Sequence, residues 1–420
     1  MNMEFSYIII YVACFAGLFV SIFYVLTIFS PNKTKKFTEI KKYPLVSIII
    51  PVWNEGSANG ERLRKTLNSV FAADYPQEKI DLIIVDDGST DNSLKIAKDY
   101  ESKGVRVFSH PVSRGKTNAV NTGMTYAKGE FVAALDADSF IMPDVIRKLI
   151  PCFDNPNVMA AIPSIKIWKP RTILQRIQSN EFLSAVFIRH LQSELGAIHL
   201  APGAFTLIRR KFLKKYGSLN ANTMVEDLEI SFRIQSHNYL IDCVIDANVY
   251  TSGVRTWKAF VNQRLRWFCG FIKQIIKYKH LFGPKHGNLG VFVLPTSIFF
   301  ILFMLFLFFY ALIKFSFDTF TYIQDLILTG INLDELLHFK FDVFFVTIGN
   351  HTIIPILLLI MAIAFILYIK NASNEKQGVI LNFLLFTLTY WFLAAYCWTK
   401  AIYYHFAKKK IKWGPNYFSA

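Results

Sequence analysis

Long apolar segments at both ends of this 420-residue chain set the strongest limit on its fold. Residues 7–29 are almost wholly apolar, and further apolar runs lie at 289–313, 353–369 and 379–403. A helix that rises about 1.5 Å per residue needs about 20 residues to cross a hydrocarbon core of about 30 Å. The sequence therefore predicts an N-terminal membrane anchor and a C-terminal membrane region.

Basic residues gather beside these apolar runs. The chain has 46 Lys and Arg against 30 Asp and Glu, a net charge of +16. The lysines next to the first and last runs are Lys33, Lys35, Lys36, Lys41, Lys42, Lys408, Lys409, Lys410 and Lys412. Cytoplasmic segments of membrane proteins are rich in Lys and Arg, so we expect a multi-pass protein of the cell membrane whose middle part is cytoplasmic. Nucleic acid is not expected as a partner, because the chain has no basic-aromatic repeat and no zinc-finger spacing.

The number of apolar runs conflicts with this charge rule at the C-terminus. Three crossings after a cytoplasmic domain would leave the lysine-rich tail outside, whereas the rule places it inside. Either the last run is broken or re-entrant, or the acidic region between the runs at 289–313 and 353–369 hides another crossing. That region, which we expect outside, contains Asp318, Asp325, Asp334, Glu335 and Asp342. We predict a cytoplasmic tail.

The middle of the chain has the pattern of an α/β domain. Apolar runs rich in β-branched residues lie at 45–52, 82–85, 105–108 and 131–135, with helical patterns at 61–71, 92–102 and 117–127. This alternation predicts βαβ units and a mostly parallel sheet buried on both faces. Two later helical segments, 172–195 and 257–278, either lie along the membrane surface or pack on the sheet.

Paired carboxylates follow two of the predicted strands, where open α/β sheets bind ligands. Asp86 and Asp87 precede a Gly-Ser turn, and they either accept from a uracil N–H or serve as turn and cap residues. Asp136 and Asp138 can hold a hard divalent cation that also bridges diphosphate oxygens. An Asp-x-Asp pair alone is common and therefore weak evidence.

Three further segments are ambiguous by themselves. Residues 113–117 (Ser-Arg-Gly-Lys-Thr) end like a phosphate loop, but His110 stands where the Walker pattern needs glycine. This basic loop still suits a diphosphate through its N–H groups, or it is a solvated turn. Glu226 and Asp227 open a helix, as the helix dipole favours, or they supply a general base. Residues 263–267 (Gln-Arg-Leu-Arg-Trp) are typical of interfacial anchoring.

Taken in chain order, these clusters resemble the D, D, D, Q-x-x-R-W signature of family 2 processive glycosyltransferases. The matching segments are Asp86-Asp87-Gly88, Asp136-Ala137-Asp138, Glu226-Asp227 and Gln263-Arg264-Leu265-Arg266-Trp267. The family includes cellulose, hyaluronan, chitin and poly-N-acetylglucosamine synthases, and the resemblance covers about residues 45–270 with the flanking membrane layout. It implies a GT-A type nucleotide-sugar domain at 43–285, after an anchor and basic linker at 1–42 and before a membrane region and basic tail at 286–420.

The resemblance also implies a role for each matched residue. The UDP-sugar would be bound by Pro51, Asn54, Glu55, Asp86, Asp87, Lys116, Asp136 and Asp138. Asp138, and less directly Asp136, would hold Mg²⁺ or Mn²⁺, and Asp227 would be the catalytic base. The acceptor sugar and the diphosphate would be bordered by Gly203, Glu226, Gln263, Arg266 and Trp267.

The implied function is inverting, processive transfer from a UDP-sugar to a growing polysaccharide that passes across the bilayer. N-acetylglucosamine is favoured by the overall length, the single N-terminal span and the tail at 412–414 (Lys-Trp-Gly), while hyaluronan, cellulose and mannan synthesis stay open. An accessory membrane subunit is also left open. The rival functions are single transfer to a polyprenyl phosphate and transport with a nucleotide-binding domain. The 263–267 motif argues against the first, and the absence of mid-span ionisable residues argues against the second.

Overall fold

The computed structural model describes residues 3–29, 40, 42–330, 350–375, 378–413 and 416–419. The predicted positions Lys33, Lys35, Lys36, Lys41, Asp334, Glu335, Asp342 and Gly414 lie outside these residues. The helices are α1 (Met3–Ile28), α2 (Ser57–Phe71), α3 (Ser93–Lys98), α4 (Lys116–Tyr126), α5 (Val145–Leu149), α6 (Ile173–Glu194), α7 (Arg210–Tyr216), α8 (Glu226–Ser236), α9 (Trp257–Lys277), α10 (Leu294–Thr329), α11 (Asn350–Ala372) and α12 (Ile380–Phe406). The strands are β1 (Val46–Val52), β2 (Ile80–Asp86), β3 (Arg106–Ser109), β4 (Phe131–Ala134), β5 (Phe140–Ile141), β6 (Val158–Ile167), β7 (Leu207–Arg209), β8 (Leu240–Thr251), β9 (Lys410–Trp413) and β10 (Asn416–Ser419).

Eight strands form one mixed sheet in the order β3-β2-β1-β4-β7-β6-β8-β5. Strand β1 pairs in parallel with β2 and β4, β2 with β3, and β6 with β8. Strand β7 is antiparallel to β4 and β6, and β5 is antiparallel to β8. The α/β prediction is confirmed, because the parallel half consists of the strands that the apolar runs predicted. From β3, on the far side of β2, the chain crosses to β4 on the other side of β1, which opens a crevice at the carboxyl ends of these strands.

Alternate side chains of β1 are buried on opposite faces of the sheet. Ile48 and Ile50 pack in one cluster with Leu63 of α2. Ile49 packs in another with Ala119 of α4. A strand covered on both faces needs apolar residues at successive positions, which explains the continuous run in the sequence.

Four of the described helices are long and apolar enough to cross a membrane: Tyr7–Ile28, Leu289–Leu328, Ile353–Ala372 and Ile380–Phe406. They coincide with the predicted apolar runs, but the second extends well beyond residue 313. Asp318 and Asp325 therefore lie within α10, so the helix does not end at residue 313 as the apolar run predicted, and the position of these residues outside the membrane stays a prediction. The helix continues because the residues between 314 and 329 remain mostly apolar or aromatic.

The chain divides into two compact units. One comprises residues 1–30 and 297–365, and the other comprises 31–296 and 366–420. The second unit holds the sheet together with α6 and α9, both predicted as helices, and it also holds α12. Helix α6 packs on β6 and β8, and α12 packs on α6 and α9. The unit with the sheet thus includes an apolar helix that the sequence assigns to the membrane region.

The turn before α12 and the last part of α12 both contact the sheet and α9 of this unit. Before the helix, Lys166 of β6 donates from Nζ to the Ser373 carbonyl oxygen at 2.6 Å and pairs with Glu375 at 3.4 Å. Near its end, Cys269 Sγ of α9 lies 3.6 Å from the Ala401 carbonyl oxygen. Helix α12 therefore lies along the unit between its two attachments.

Candidate active site

A cleft of about 330 Å³ opens at the carboxyl ends of β1, β2 and β4. Small-molecule sites have volumes of about 300–1,000 Å³, so the cleft is large enough for a ligand. Its lining includes seven of the predicted site residues, namely Pro51, Glu55, Asp87, Lys116, Asp136, Asp138 and Glu226. They come from separate loops and helix starts that the parallel strands bring to one edge of the sheet.

Asp87 holds the loop that follows β3. Its Oδ2 accepts from Ser113 Oγ at 2.6 Å and from the Gly115 N–H at 2.8 Å. Its Oδ1 accepts from the Arg114 N–H at 2.9 Å and lies 2.7 Å from His110 Nδ1. Burial alone would raise the pKa of Asp87, but these hydrogen bonds outweigh it and hold the pKa below its usual value. The N–H groups of residues 114 and 115 are therefore used within the protein, while binding of a diphosphate by the basic loop at 113–117 stays a prediction.

The neighbouring carboxylate, Asp86, has fewer hydrogen-bond partners than Asp87. Its Oδ2 accepts from the Ser89 N–H at 3.1 Å, while its buried Oδ1 has no hydrogen-bond partner among the residues that the structure describes. A buried carboxylate oxygen without a donor is costly, so this atom is available to a ligand N–H. Gly88 closes the turn with φ +68°, and a Cβ there would lie only 2.6 Å from the Ser113 backbone nitrogen. Only glycine allows this approach.

Asn54 and Glu55 occupy the loop after β1. Asn54 has φ +53°, and its Oδ1 accepts from the Thr90 N–H at 2.8 Å, which joins this loop to the one after β2. Glu55 pairs with Arg62 at 3.2 Å. Burial raises the pKa of Glu55, although Arg62 opposes the shift. The Asn54 side chain thus connects two loops, and its predicted contact with the UDP-sugar stays a prediction.

Lys116 lies among carboxylates at the start of α4. Its Nζ is 2.5 Å from Asp136 Oδ1 and 3.9 Å from Glu226 Oε1. Burial would lower the pKa of Lys116, but these two carboxylates raise it above its usual value, so the lysine stays protonated. Burial raises the pKa of Glu226, and Lys116 opposes that shift. This cluster gives the cleft a cation next to several acidic side chains.

Asp136 and Asp138 are the residues that fit a divalent cation. Among the described parts of the chain, no group of three or more His, Cys, Asp or Glu side chains could hold a metal ion by itself. Burial, and then the charge of Asp136, raise the pKa of Asp138. A cation would relieve this repulsion and would need further oxygen ligands, which a diphosphate offers. The pair suits an ion that binds together with a diphosphate.

Asp227 lies next to Lys116 and Gly203. The Gly203 N–H donates to Asp227 Oδ2 at 3.2 Å, and the Leu228 N–H donates to Oδ1 at 2.9 Å. A Cβ at Gly203 would lie 3.5 Å from Asp227 Oδ2 and 3.7 Å from Lys116 Nζ. The structure therefore brings the predicted base, the predicted acceptor-site glycine and the lysine together. The two N–H groups fix the orientation of the carboxylate.

Helix α9 brings Arg266 close to this acidic cluster. Its Nη1 donates to the Met224 carbonyl oxygen at 2.7 Å, and its charge interacts with Glu226, Asp227 and Asp136. This approach depends on Gly270, where a Cβ would lie 2.4 Å from Val225 Cγ2. Arg266 thus faces the acidic cluster.

The predicted residues of the α9 motif, Gln263, Arg266 and Trp267, are not among the described residues that line the cleft. The Trp267 ring centroid lies 6.4 Å from that of Phe182 on α6.

Sequence reasoning missed several residues of the site. His110, which holds Asp87, was noted only as a departure from a phosphate loop. Its position directly after β3, at the same sheet edge as the acidic clusters, could have identified it. Arg62 and Thr223 were also missed, because neither follows a strand or belongs to a short motif.

Known proteins are similar to this chain in sequence. The sequence profile of glycosyl transferase family 2 matches residues 47–217. A poly-β-1,6-N-acetyl-D-glucosamine synthase of Staphylococcus epidermidis is 29% identical over 357 residues, which cover 83% of this chain and 81% of the relative. A β-monoglucosyldiacylglycerol synthase of Nostoc sp. is 28% identical over 274 residues, or 60% of this chain and 57% of the relative.

A solved structure supports the GT-A type fold. A mannosyltransferase from Pyrobaculum calidifontis, in complex with GDP-Man and Mn²⁺, covers 65% of this chain and 74% of its own, with a TM-score of 0.53 and 20% identity. At this identity the likeness concerns the fold alone. The sequence profile, the fold and the curated relatives agree: residues 47–217 match the profile of glycosyl transferase family 2, and the chain is a glycosyltransferase.

Proposed function

We propose that the chain is a membrane-embedded, processive, inverting glycosyltransferase that polymerises N-acetylglucosamine from UDP-N-acetylglucosamine. The observation that carries this proposal is the meeting of Lys116, Asp136, Asp227 and Arg266 at one edge of the sheet. Similarity over most of the chain to a poly-β-1,6-N-acetyl-D-glucosamine synthase supports both the sugar and the polymeric product.

The arrangement supports direct displacement. An acceptor hydroxyl oxygen attacks the anomeric carbon while the bond from that carbon to the diphosphate oxygen breaks on the opposite side, so the configuration inverts. Asp227 accepts the hydroxyl proton, in the orientation set by the Gly203 N–H. Lys116 and Arg266 offset the negative charge that grows on the departing UDP. Asp86 Oδ1 accepts from the uracil N–H.

Asp136 and Asp138 would hold Mg²⁺ or Mn²⁺ in this proposal. The bound ion would neutralise charge on the diphosphate. Lys116 pairs with Asp136 at 2.5 Å, so the lysine and the ion share one carboxylate. Lys116 therefore keeps this carboxylate in place before the donor arrives.

We place the catalytic domain and the C-terminal tail on the cytoplasmic side of the cell membrane. The chain before α12 and the end of α12 both contact the catalytic unit, which supports a helix that lies against this unit instead of crossing. Of the four apolar helices, α1, α10 and α11 then remain as spans, and 4 − 1 = 3 crossings leave the tail cytoplasmic. This arrangement agrees with the lysines at positions 408–410.

A second candidate function is single transfer of a sugar to a lipid. The similarity to a β-monoglucosyldiacylglycerol synthase favours it, although that similarity covers 60% of this chain. The catalytic step would be the same, and only the acceptor would differ.

Purified protein in lipid nanodiscs, incubated with radiolabelled UDP-sugars and Mn²⁺, separates these functions. A ladder of long products from UDP-N-acetylglucosamine supports the proposal, and it would also show that no accessory subunit is required. A ladder of products from another UDP-sugar would refute N-acetylglucosamine as the donor sugar but would still support a polymerase. A single lipid-linked sugar would support the second candidate, and no product from any donor would refute both. Asp227→Asn serves as the inactive control.

A further inference from the structure

Arg264, inside the 263–267 motif, carries no role in the mechanism above. It lies in the sequence between Gln263 and Trp267. It is 1% exposed and is among the largest fully buried side chains that the structure describes. A buried guanidinium is costly unless several partners satisfy it. The partners of Arg264 therefore indicate what it does.

A single guanidinium group contacts both neighbouring motif residues. Arg264 Nη1 donates to Gln263 Oε1 at 2.6 Å. The guanidinium carbon lies 4.3 Å from the Trp267 ring centroid and 4.3 Å from that of Phe260. Arginine suits this position because its planar group can donate along its edges while its face stacks on an aromatic ring.

Glu181 of α6 holds the guanidinium in this orientation. Arg264 Nε donates to Glu181 Oε1 at 3.0 Å, and Arg264 Nη2 donates to Glu181 Oε2. The Tyr390 hydroxyl, on α12, donates to Glu181 Oε1 at 2.6 Å. Helices α6, α9 and α12 thus meet at one buried ion pair.

We propose that Arg264 is a positioning residue for the acceptor sugar, held in its working geometry by Glu181 and Tyr390. The inference rests on the proposed function and on the role that the family resemblance implies for Gln263 and Trp267, which is to border the acceptor. Tyr390 belongs to a helix whose other side chains Leu388 and Phe392 are exposed and apolar. The wall of the acceptor site is therefore connected through one hydroxyl to a helix that faces lipid.

In this role Arg264 affects binding of the acceptor sugar and does not affect binding of the UDP-sugar donor. The donor cleft is built by Lys116, Asp136 and the loop that Asp87 holds, and Arg264 contacts Gln263 and Trp267 instead. Disturbing Arg264 should thus change acceptor binding and product length, while the affinity for the UDP-sugar stays the same.

Two variants test the idea without leaving a charge unpaired. Tyr390→Phe removes only the hydroxyl and keeps the Glu181–Arg264 pair. Arg264→Lys keeps the charge but loses the planar fork, so one ammonium group cannot reproduce the contacts with both Glu181 and Gln263.

The chain offers a matched control at the other end of α9. There, Glu229 accepts from the Tyr278 hydroxyl at 2.7 Å and from Arg233 Nη2 at 2.6 Å, and it is 2% exposed. Tyr278→Phe therefore also removes a tyrosine hydroxyl that donates to the glutamate of a buried Glu–Arg pair. A merely structural effect should be similar in the two Tyr→Phe variants.

The experiment measures KM for the oligosaccharide acceptor and for UDP-N-acetylglucosamine, together with product length and melting temperature. We expect Tyr390→Phe to raise the acceptor KM about fivefold, the effect of one lost hydrogen bond, and to shorten the product. Arg264→Lys should have a larger effect, and the donor KM should not change in either variant. Tyr278→Phe should lower the melting temperature as Tyr390→Phe does, with unchanged acceptor KM. Equal kinetic effects of the two Tyr→Phe variants, or a parallel rise in both KM values, would overturn the inference.

Failure of the proposed function gives a different result. If wild-type protein uses another UDP-sugar or a lipid acceptor, the same comparison is made with those substrates. Hydrogen–deuterium exchange of the peptide at 257–277 tests the positioning without any substrate. Tyr390→Phe should speed exchange around residue 264 and Tyr278→Phe should not; identical exchange in the two variants would overturn the inference.

Discussion

Replacing Asp87 by asparagine tests whether this carboxylate holds the loop before Lys116. One Asp87 oxygen accepts from Ser113 Oγ and the Gly115 N–H, and the other accepts from the Arg114 N–H and faces His110. Whichever oxygen becomes the amide NH₂ group, it will face one of these backbone N–H donors. Asparagine therefore cannot satisfy the loop in either orientation of its side chain.

The size of the effect follows from these contacts. A buried N–H without an acceptor costs about 1–3 kcal/mol, and the remaining hydrogen bonds lose the extra strength that a charged acceptor gives. We expect the free energy of unfolding to fall by about 2–4 kcal/mol. The KM for the UDP-sugar should rise, because the loop leads directly into Lys116.

Chemical unfolding of the wild type and Asp87→Asn in detergent at pH 7 measures the loss. Asp91→Asn is the matched control, because Asp91 accepts from the Gly56 N–H, the Ser93 N–H and Ser93 Oγ but is exposed to solvent. Exposed polar contacts contribute less, so this variant should lose at most about 1 kcal/mol. Equal losses in the two variants would refute the reasoning.

The pH dependence gives a second check on the same variant. The hydrogen bonds hold the pKa of Asp87 below its ordinary value of 3.8. The stabilisation is therefore fully present above that value and is lost as the pH falls through the lower pKa of the folded protein. The difference in unfolding free energy between the wild type and Asp87→Asn should narrow on acidification. A constant difference would refute the assigned contacts.

Three further predictions concern catalysis. Asp227→Asn should lower kcat about 10²–10⁴-fold, because it removes the general base. Isothermal titration should show an unchanged affinity for UDP, and a loss of that affinity would count against this role. Trp267→Ala should shorten the polymer on a sizing gel, and unchanged product length would contradict its place at the acceptor. Removing divalent cations with EDTA should abolish transfer, with Mn²⁺ or Mg²⁺ restoring it, whereas full activity in EDTA would contradict an ion at Asp136 and Asp138.

The half of the sheet made of β1 to β4 was predictable from the sequence, and the half made of β5 to β8 was not. Strands β1 to β4 are apolar at successive positions because helices cover both faces, and this gives a clear local signal. Strands β5 and β7 have two and three residues, too few to show any periodicity. Strand β8 contains Asp242 and Asp246, which interrupt its apolar pattern. These strands form because their partners are in place.

The site was predictable to the level of which residues gather, but not of what each one contacts. Acidic clusters after parallel strands must meet at one sheet edge, so the positions of Asp86, Asp87, Asp136 and Asp138 follow from the pattern. The use of both Asp87 oxygens by residues 110–115 depends on the course of a loop. The Tyr390–Glu181 hydrogen bond joins residues 209 positions apart, and no local pattern reveals it.

Helix α12 shows why counting apolar runs gave a contradictory topology. It satisfies the length and composition of a span, yet 28% of its most apolar window is buried within the protein, against 11–17% for the other candidates. Trp398 of α12 stacks on Phe268 of α9 with ring centroids 4.2 Å apart, and Tyr390 reaches the ion pair of Arg264. One side of α12 packs on the protein and the other carries exposed apolar residues such as Leu388 and Phe392, so composition cannot separate a packed helix from a span. If α12 crossed the bilayer, its two ends would lie on opposite sides, and the catalytic unit would lose either the contact at Ser373 before the helix or the contact at Ala401 near its end.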